Sequence, residues 1–257
     1  MFTNKVVIIT GASSGIGAET ALEFAKLNAT LVITGRNNDN LIQVAKQCED
    51  ISPNKIVPLV IVADIIKETN VENIVKETIN KFHKIDVLVN NAGILASGSI
   101  ENTSLEQYDS IMNTNVRGLY YLTMLATPYL IESNGNIVNV SSVAGLRSFP
   151  NILAYCMSKA ALDQFTRCVA LELGPKGVRV NAVNPGVIVT GIHLKGSMTE
   201  EAYKVYLKKC NETHAIGRPG TTKEVSAVIA FLASDAASNI TGATLPVDGG
   251  RHAMCPR

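Results

Sequence analysis

Residues 5–27, KVVIITGASSGIGAETALEFAKL, contain the stretch that decides the fold of this chain. An almost uninterrupted apolar run is followed by three glycines in the eight residues 10–17 and then by a helical pattern. An apolar run bounded by glycine predicts a strand buried on both faces, and the pattern that follows predicts a helix over 15–27. A strand, a tight turn and a helix form the first half of a βαβ unit.

The same alternation continues almost to the end of the chain. Further apolar runs predict buried strands at 30–35, 55–62, 86–90, 136–141 and 178–183. Helical patterns lie at 38–50, 67–82, 104–131, 154–173 and 222–234. Alternation of this kind predicts an α/β fold with right-handed crossovers and a doubly wound, mostly parallel sheet. No repeat, low-complexity tract or linker divides the sequence, so we expect one domain over 1–257.

One stretch interrupts the alternation. Residues 191–220, GIHLKGSMTEEAYKVYLKKCNETHAIGRPG, are too many for a simple connection, and Tyr203, Tyr206 and Leu207 recur at helical spacing. Long insertions in compact domains often cover a binding site. We therefore expect a substrate lid over 191–220, and a merely solvated helical insertion is the alternative.

The composition excludes several classes of protein. Twenty-three basic and 22 acidic side chains give a net charge of +1 without a basic cluster, which argues against a nucleic-acid partner. No apolar stretch reaches the roughly 18 residues of a membrane span, and the first residues lack the three-part form of a signal peptide. Five scattered cysteines without a CxxC pair argue against disulfides and a metal site, so we expect a reducing, cytoplasmic setting.

The glycine turn suits a phosphate ligand. Gly11, Gly15 and Gly17 follow the pattern TGxxxGxG between a strand and a helix. Glycines let the backbone approach a pyrophosphate, and the start of a helix offers free N–H groups and the positive end of its dipole. The turn predicts a dinucleotide site, with a purely structural turn as the alternative.

The end of the second strand bears on the choice of dinucleotide. NAD sites usually have an acidic residue there for the ribose 2′-hydroxyl, whereas a nearby arginine suits a 2′-phosphate. This chain has Gly35 followed by Arg36, so NADP(H) is favoured over NAD(H). Asn37 or Ser13 could add hydrogen bonds. A surface arginine without a ligand is the alternative.

Several further motifs stand in a familiar order and spacing. They are Asp64 of VAD, NNAG (90–93), Asn115 of NTNV, Ser142 of VSS, YCMSK (155–159), NPGVIVT (184–190) and VDGG (247–250). Together with TGASSGIG (10–17), they make residues 4–250 resemble the short-chain dehydrogenase/reductase family, in its compact form. The resemblance implies a Rossmann-like, seven-stranded sheet with strand order 3-2-1-4-5-6-7.

Residues 142–159 point to carbonyl chemistry. Tyr155 and Lys159 are four residues apart on a predicted helix and therefore share one of its faces. Ser142 follows the fifth strand, at the sheet edge where ligands bind. Reduction of a ketone needs a hydride and a proton, and an ammonium beside a phenol lowers the phenol pKa from about 10. Ser142 could stabilise charge on the substrate oxygen; an ordinary amphipathic pair and a turn cap are the alternatives.

The family resemblance adds residue roles that the residues alone do not supply. It implies that Asn115 holds a water linking Lys159 to solvent and that Lys159 bonds the nicotinamide ribose. It also implies that the cofactor contacts Gly11, Ser13, Ser14, Gly15, Ile16, Gly17, Arg36, Asp64, Asn91, Ala92, Gly93, Tyr155, Lys159, Pro185, Gly186, Ile188 and Thr190.

The residues expected around the reacting carbon are mainly apolar. They are Ile94, Leu95, Val143, Leu146, Phe149, Ile152, Leu153, Val187 and Ile188, with Tyr203 and Tyr206 from the lid. We therefore expect an NADPH-dependent carbonyl reductase acting reversibly on an apolar compound: a ketosteroid (including ecdysteroid-like 3-oxo compounds), a retinoid, an isoprenoid or a 3-oxoacyl compound. An NAD-dependent alcohol or hydroxysteroid dehydrogenase working mainly in oxidation, and a non-catalytic dinucleotide-binding protein, are the alternatives.

The resemblance also bears on assembly. It implies a homodimer or homotetramer that pairs through the helices at 104–131 and 154–173. The tail, RHAMCPR (251–257), is expected at a subunit contact or at the mouth of the pocket.

Overall fold

The computed structural model of the protein describes residues 2–196 and 198–254, and seven strands within these ranges form one sheet. The strands are β1 (Val6–Thr10), β2 (Thr30–Gly35), β3 (Leu59–Val62), β4 (Val87–Asn90), β5 (Asn136–Val140), β6 (Arg179–Pro185) and β7 (Thr244–Val247). Their order is β3-β2-β1-β4-β5-β6-β7 and every pairing between neighbours is parallel. The predicted fold class and strand order are confirmed.

Helices connect the strands and cover both faces of the sheet. The helices before β6 are α1 (Gly15–Lys26), α2 (Asn38–Ile51), α3 (Glu68–Phe82), α4 (Leu105–Met112), α5 (Gly118–Glu132), α6 (Val143–Leu146) and α7 (Leu153–Leu173). After β6 come α8 (Ile192–Lys195), α9 (Glu200–Lys208), α10 (Cys210–Thr213) and α11 (Thr222–Ala233). In the described ranges no helix combines the length and apolar character that a membrane crossing needs.

The third and the last strand differ most from what the apolar pattern predicts. The third strand begins at Leu59 rather than at 55, because Lys55 has a positive φ of 53° and Pro58 has no N–H to offer a neighbouring strand. The apolar pattern of the chain did not indicate β7. This strand has four residues, includes Pro246 and is only partly buried, so it carries little of the hydrophobic signal that marks the central strands.

The alternation of side chains along each strand divides the core into two layers. Val7 and Ile9 pack on one face, in a cluster with Phe24 of α1. Val6 and Ile8 pack on the opposite face, in a cluster with Leu122 of α5. Because successive side chains of a strand point to opposite faces, the continuous Val and Ile runs supply both layers at once. The last residues of β1, β5 and β6, Thr10, Val140 and Pro185, and Gly35 of β2 line a cavity at the carboxyl ends of the strands.

Two hydrogen bonds join the end of the insertion between β6 and α11 to the segment that follows β6. Gly220 N–H donates to the Val187 carbonyl at 2.8 Å, and Val189 N–H donates to the Gly220 carbonyl at 3.0 Å. Helices α8, α9 and α10 lie between these attachments. The insertion therefore begins and ends beside the carboxyl edge of β6.

Candidate active site

The glycine turn forms a backbone cradle at the start of α1. Gly11 has a positive φ of 65°, and a Cβ built there would lie 2.9 Å from the Ala92 Cα. A Cβ on Gly17 would lie 2.4 Å from both the Gly11 carbonyl oxygen and the Asn91 Nδ2. Contacts this short exclude a side chain at either position. The chain therefore turns tightly enough to bring the first turn of α1 against the cavity.

Asn91 braces this cradle from the neighbouring strand. Its Nδ2 donates to the carbonyls of Thr10 at 2.8 Å and Gly11 at 3.2 Å. The Thr10 hydroxyl oxygen accepts from the N–H groups of Asn91 at 3.0 Å and Ala92 at 2.9 Å. The ends of β1 and β4 are thus joined by side-chain bonds. The polar atoms of the NNAG segment hold the turn in place, in addition to bordering the cavity.

Tyr155, Lys159 and Ser142 meet on one wall of the cavity. The Lys159 Nζ lies 5.7 Å from the centroid of the Tyr155 ring and donates to the Val140 carbonyl at 2.9 Å. A hydrogen bond joins the hydroxyl of Ser142 to the Tyr155 oxygen. Since helix α7 presents the tyrosine and lysine on the same face and β5 ends next to them, the structure brings together the three residues that the sequence analysis singled out.

Burial dominates the protonation of this group. It raises the pKa of Tyr155 to about 12, against the hydrogen bond with Ser142, which lowers it. It also lowers the pKa of Lys159 to about 8, against the charge of Asp163, which raises it. The expectation of a phenol pKa below its ordinary value was therefore wrong for the protein's own residues. Desolvation of the phenolate raises the pKa of Tyr155 more than the hydrogen bond with Ser142 lowers it.

Asn115 is buried rather than solvated. It lies in a π-helical turn, Asn113–Arg117, between α4 and α5, within the single helix predicted over 104–131. Its Oδ1 accepts from the Ile94 N–H at 2.8 Å, and its Nδ2 donates to the Ile94 carbonyl at 2.9 Å and to Ser158 Oγ at 3.0 Å. These bonds fix Ile94, and a Cβ built on the preceding Gly93 would lie 3.6 Å from the Lys159 Nζ.

Asp163 and Asn184 form a buried polar pair next to Ser142 that the sequence did not indicate. The Nδ2 of Asn184 donates to both carboxylate oxygens of Asp163, at 3.0 and 2.9 Å, and to the Ser142 carbonyl at 3.0 Å. Burial raises the pKa of Asp163, while hydrogen bonds with Ser141 and Asn184 lower it. Asp163 follows Lys159 by four residues on α7, a spacing that could have marked it. Asn184 is the first residue of the quoted NPGVIVT motif.

The far end of the cavity contains Arg36 and Asp64. A Cβ built on Gly35 would lie 3.3 Å from the Ser13 Oγ, so the end of β2 packs closely on the glycine turn. In the described ranges Arg36 takes part in no ion pair. Its guanidinium is therefore a positive charge at the cavity edge without a carboxylate of the described chain to neutralise it.

Most of the residues predicted to surround the reacting carbon line the cavity. The cavity lining includes Ile94, Leu95, Val143, Phe149, Ile152, Val187, Ile188 and Tyr206. In the part of the chain that the structure describes, Leu146, Leu153 and Tyr203 are not among the lining residues. Leu146 is 37% exposed at the end of a short helix. The Tyr203 hydroxyl donates to the Thr190 carbonyl at 3.0 Å and so ties α9 to the loop after β6.

One cavity of about 580 Å³ joins these features. Among the residues predicted to act as catalytic or cofactor-binding groups, all but Gly17 and Asn115 line it. Gly17 lies behind the turn and Asn115 behind the NNAG segment. The backbone cradle, the start of α1 and Arg36 fit the phosphates of a dinucleotide, and the wall of Tyr155 fits its reactive end.

A parallel sheet of this order, with a dinucleotide cradle and a Tyr–Lys–Ser wall, defines a nucleotide-dependent oxidoreductase. A family model described as Enoyl-(Acyl carrier protein) reductase matches residues 11–252. The chain belongs to the short-chain dehydrogenase/reductase family, as the motifs predicted. Members of this family are oxidoreductases that act on alcohol and carbonyl groups with nicotinamide dinucleotides.

Relatives named for different substrates align with nearly the whole length of the chain. It is 38% identical over 247 residues to 3-oxoacyl-[acyl-carrier-protein] reductase FabG of Thermotoga maritima, covering 96% of this chain and 97% of the relative. It is 39% identical over 251 residues to L-xylulose reductase of Caenorhabditis elegans, covering 97% and 96%. The crystal structure of levodione reductase matches with a TM-score of 0.94 at 32% identity, covering 99% of this chain and 100% of that one.

Proposed function

We propose that this protein is an NADPH-dependent carbonyl reductase that interconverts an apolar ketone and its alcohol. The convergence of Tyr155, Ser142 and Lys159 on the wall of a cavity that begins at the glycine cradle carries this proposal. A non-catalytic dinucleotide-binding protein has no use for a buried lysine beside a buried tyrosine, since both lose solvation there.

The residues divide the work as follows. When bound, the reduced cofactor supplies a hydride to the carbonyl carbon. The Tyr155 hydroxyl donates a proton to the carbonyl oxygen, and Ser142 donates a hydrogen bond to the same oxygen as negative charge develops on it. Lys159 stabilises the phenolate that Tyr155 leaves behind. We assign Asn115, which contacts the segment above Lys159, to the path by which a proton returns.

The pKa values bear on the protonation states from which each direction starts at neutral pH. With a pKa of about 12, Tyr155 keeps its proton and is ready to act as an acid. A lysine with a pKa of about 8 can exchange a proton near neutrality. In the direction of oxidation Tyr155 must first lose its proton, which burial opposes. The alternative, an NAD-dependent dehydrogenase working mainly in oxidation, requires Tyr155 to start as a phenolate.

We propose NADP(H) as the cofactor because Arg36 offers an unneutralised guanidinium at the end of β2, where Gly35 leaves no acid to bind a ribose 2′-hydroxyl. The variant Arg36→Asp should bind NADPH at least about tenfold more weakly and NADH no more weakly, because it replaces a charge-assisted phosphate contact by repulsion. Lys46→Asp, at an exposed position of α2, is the charge-matched control. Unchanged NADPH affinity in Arg36→Asp would contradict this choice.

The decisive test of the reaction is Tyr155→Phe. NADPH oxidation should be followed with a panel of steroid, retinoid, isoprenoid and 3-oxoacyl ketones, because the substrate wall is mainly apolar. We expect turnover in the wild type and in Tyr129→Phe, which changes a tyrosine of α5 that does not line the cavity. Tyr155→Phe should bind NADPH but show at least about a hundredfold lower kcat, the lower limit for loss of a general acid. Turnover at the wild-type rate in Tyr155→Phe would overturn the proposal.

We also propose that 191–220 acts as a lid within one domain. Two contacts support this: Tyr206 of α9 lines the cavity, and the Tyr203 hydroxyl is bonded to the loop at Thr190. Both core layers share one sheet, which supports a single folding unit. Tyr203→Phe should remove the tie of α9 and raise KM more than it lowers kcat.

Assembly into a homodimer or homotetramer is proposed through α5 and α7. Tyr120 and Met124 of α5 and Met157 and Leu171 of α7 are exposed apolar side chains, Leu171 to 80%. Exposed apolar groups on neighbouring helices mark an interaction surface. Light scattering should give two or four copies, and Leu171→Glu should weaken the assembly.

For the compartment we propose the reducing cytoplasm. The cysteines at 48, 156, 168 and 210 are all free thiols, and Cys255 lies outside the described residues. Free thiols persist where the surroundings are reducing.

A further inference from the structure

A guanidinium stands in the mainly apolar part of the cavity wall that faces the expected substrate position. Within the described ranges, the charged side chains that line the cavity are Arg36, Asp64, Lys159 and Arg251. The first two lie at the far end, beyond β2 and β3, and Lys159 belongs to the catalytic wall. Arg251 is thus the charged residue of the substrate end. The tail (251–257) is expected at a subunit contact or at the pocket mouth. Arg251 lines the cavity, and residues 255–257 lie outside the described residues.

Two aromatic side chains hold Arg251 in this place. Its guanidinium carbon lies 4.6 Å from the centroid of the Phe149 ring. Its Nη1 donates to the Tyr206 hydroxyl at 3.4 Å, a long hydrogen bond. Both aromatic residues line the same cavity, and Tyr206 is close enough to Tyr155 to influence its pKa electrostatically. The guanidinium is therefore fixed near the reacting position and keeps most of its donors for another partner.

The neighbouring acid is engaged elsewhere. Asp248 is buried and accepts the N–H groups of His252 at 2.6 Å and Gly250 at 3.0 Å, and its carboxylate lies 3.0 Å from the His252 Nδ1. In the residues that the structure describes, Arg251 forms no ion pair. Its charge reaches the buried His214, whose pKa is lowered chiefly by burial and further by Arg251. An unneutralised charge in an apolar wall favours an anionic ligand.

We propose that Arg251 binds the carboxylate of the substrate, so that the substrate is an oxo acid with apolar carbons between its carbonyl and its carboxylate. The carbonyl meets Tyr155, the apolar carbons lie along the wall that includes Ile94 and Phe149, and the carboxylate meets Arg251. One planar guanidinium matches one planar carboxylate through two parallel hydrogen bonds. The inference rests on the proposed carbonyl reductase function and narrows its apolar substrate class.

The test uses a series of straight-chain methyl-ketone acids from 4-oxopentanoate to 8-oxononanoate, each with its methyl ester. The ester keeps the skeleton and the carbonyl but removes the charge. With NADPH, the wild type should reduce at least one acid with kcat/KM about tenfold or more above its ester, as expected for a charge-assisted contact. In Arg251→Gln that acid should show a KM about tenfold to a hundredfold higher, while its ester is unaffected.

Arg251→Lys and Lys46→Gln complete the design. The first keeps the charge without the planar fork and should retain part of the preference for the acid. The second removes one exposed charge from α2 and should change kcat/KM for neither the acid nor its ester. Thermal unfolding of each variant checks that it folds. Equal kcat/KM for every acid and its ester in the wild type, or an equal loss for both in Arg251→Gln, would overturn the role of Arg251.

Binding separates this inference from the proposed function. Calorimetric titration of each acid and ester into the protein with NADP⁺ measures affinity without turnover. If neither this series nor the ketone panel of the proposed function oxidises NADPH, the proposed function fails, and carboxylate-dependent affinity that is lost in Arg251→Gln still supports the binding role. If affinity does not depend on the carboxylate, that role is refuted.

Discussion

Replacing Lys159 by methionine should abolish activity and make the protein more stable. Lys159 is only 4% exposed, and burial lowers its pKa from the ordinary 10.5 to about 8. One pKa unit corresponds to about 1.4 kcal/mol, so keeping this lysine charged at pH 7 costs the folded state about 3 kcal/mol. On the proposed mechanism, the ammonium stabilises the phenolate of Tyr155, which accounts for a buried charge at this position.

Methionine fills a similar length without a charge. The substitution removes the hydrogen bond to the Val140 carbonyl, which offsets about 1 kcal/mol of the gain. We therefore expect Lys159→Met to unfold with a free energy about 2 kcal/mol higher than the wild type at pH 7. Lys46→Met, an exposed lysine on α2, is the matched control and should leave the free energy of unfolding nearly unchanged.

The difference in stability between Lys159→Met and the wild type should depend on pH in a defined direction. Below pH 8 the lysine is protonated in both states, and the full cost is present. Between pH 8 and 10.5 the folded lysine has lost its proton while the unfolded one keeps it, so wild-type stability rises with pH. The advantage of Lys159→Met should shrink over this range. Urea unfolding at pH 7, 8, 9 and 10 measures it, and a difference that does not change with pH, or a less stable variant at pH 7, would refute the reasoning.

Two further substitutions test the packing around the site. Gly17→Ala should abolish detectable NADPH binding, because its Cβ would lie 2.4 Å from the Gly11 carbonyl oxygen. The control Gly174→Ala, whose Cβ would have no atom within 4 Å, should bind NADPH normally. Fluorescence titration measures both affinities, and equal values would contradict the close approach at Gly17. Asp163→Asn removes the charge that raises the pKa of Lys159. The pH profile of kcat/KM for alcohol oxidation should therefore move to lower pH. An unmoved profile would argue against an electrostatic effect of Asp163 on Lys159.

Much of the fold and part of the site follow from local sequence. Buried parallel strands need continuous apolar runs, and helices need their own spacing, so the alternation of the two already predicts the layers. The glycine turn between β1 and α1 predicts a phosphate cradle because few other residues permit it. The four-residue interval from Tyr155 to Lys159 predicts a shared helix face. Each of these properties depends on neighbours along the chain.

What only the tertiary structure decided depends on atoms distant in sequence. Asn184 comes from β6 to join Asp163 of α7 to the Ser142 carbonyl, and Arg251 returns from beyond β7 to the cavity wall. The raised pKa of Tyr155 also depends on residues that are distant in sequence. Desolvation sums over every group packed around an ionisable atom, and a linear sequence does not state which groups those are. The periodicity of apolar residues therefore determined the order of strands and helices, and tertiary packing determined the protonation states of the buried Tyr155 and Lys159.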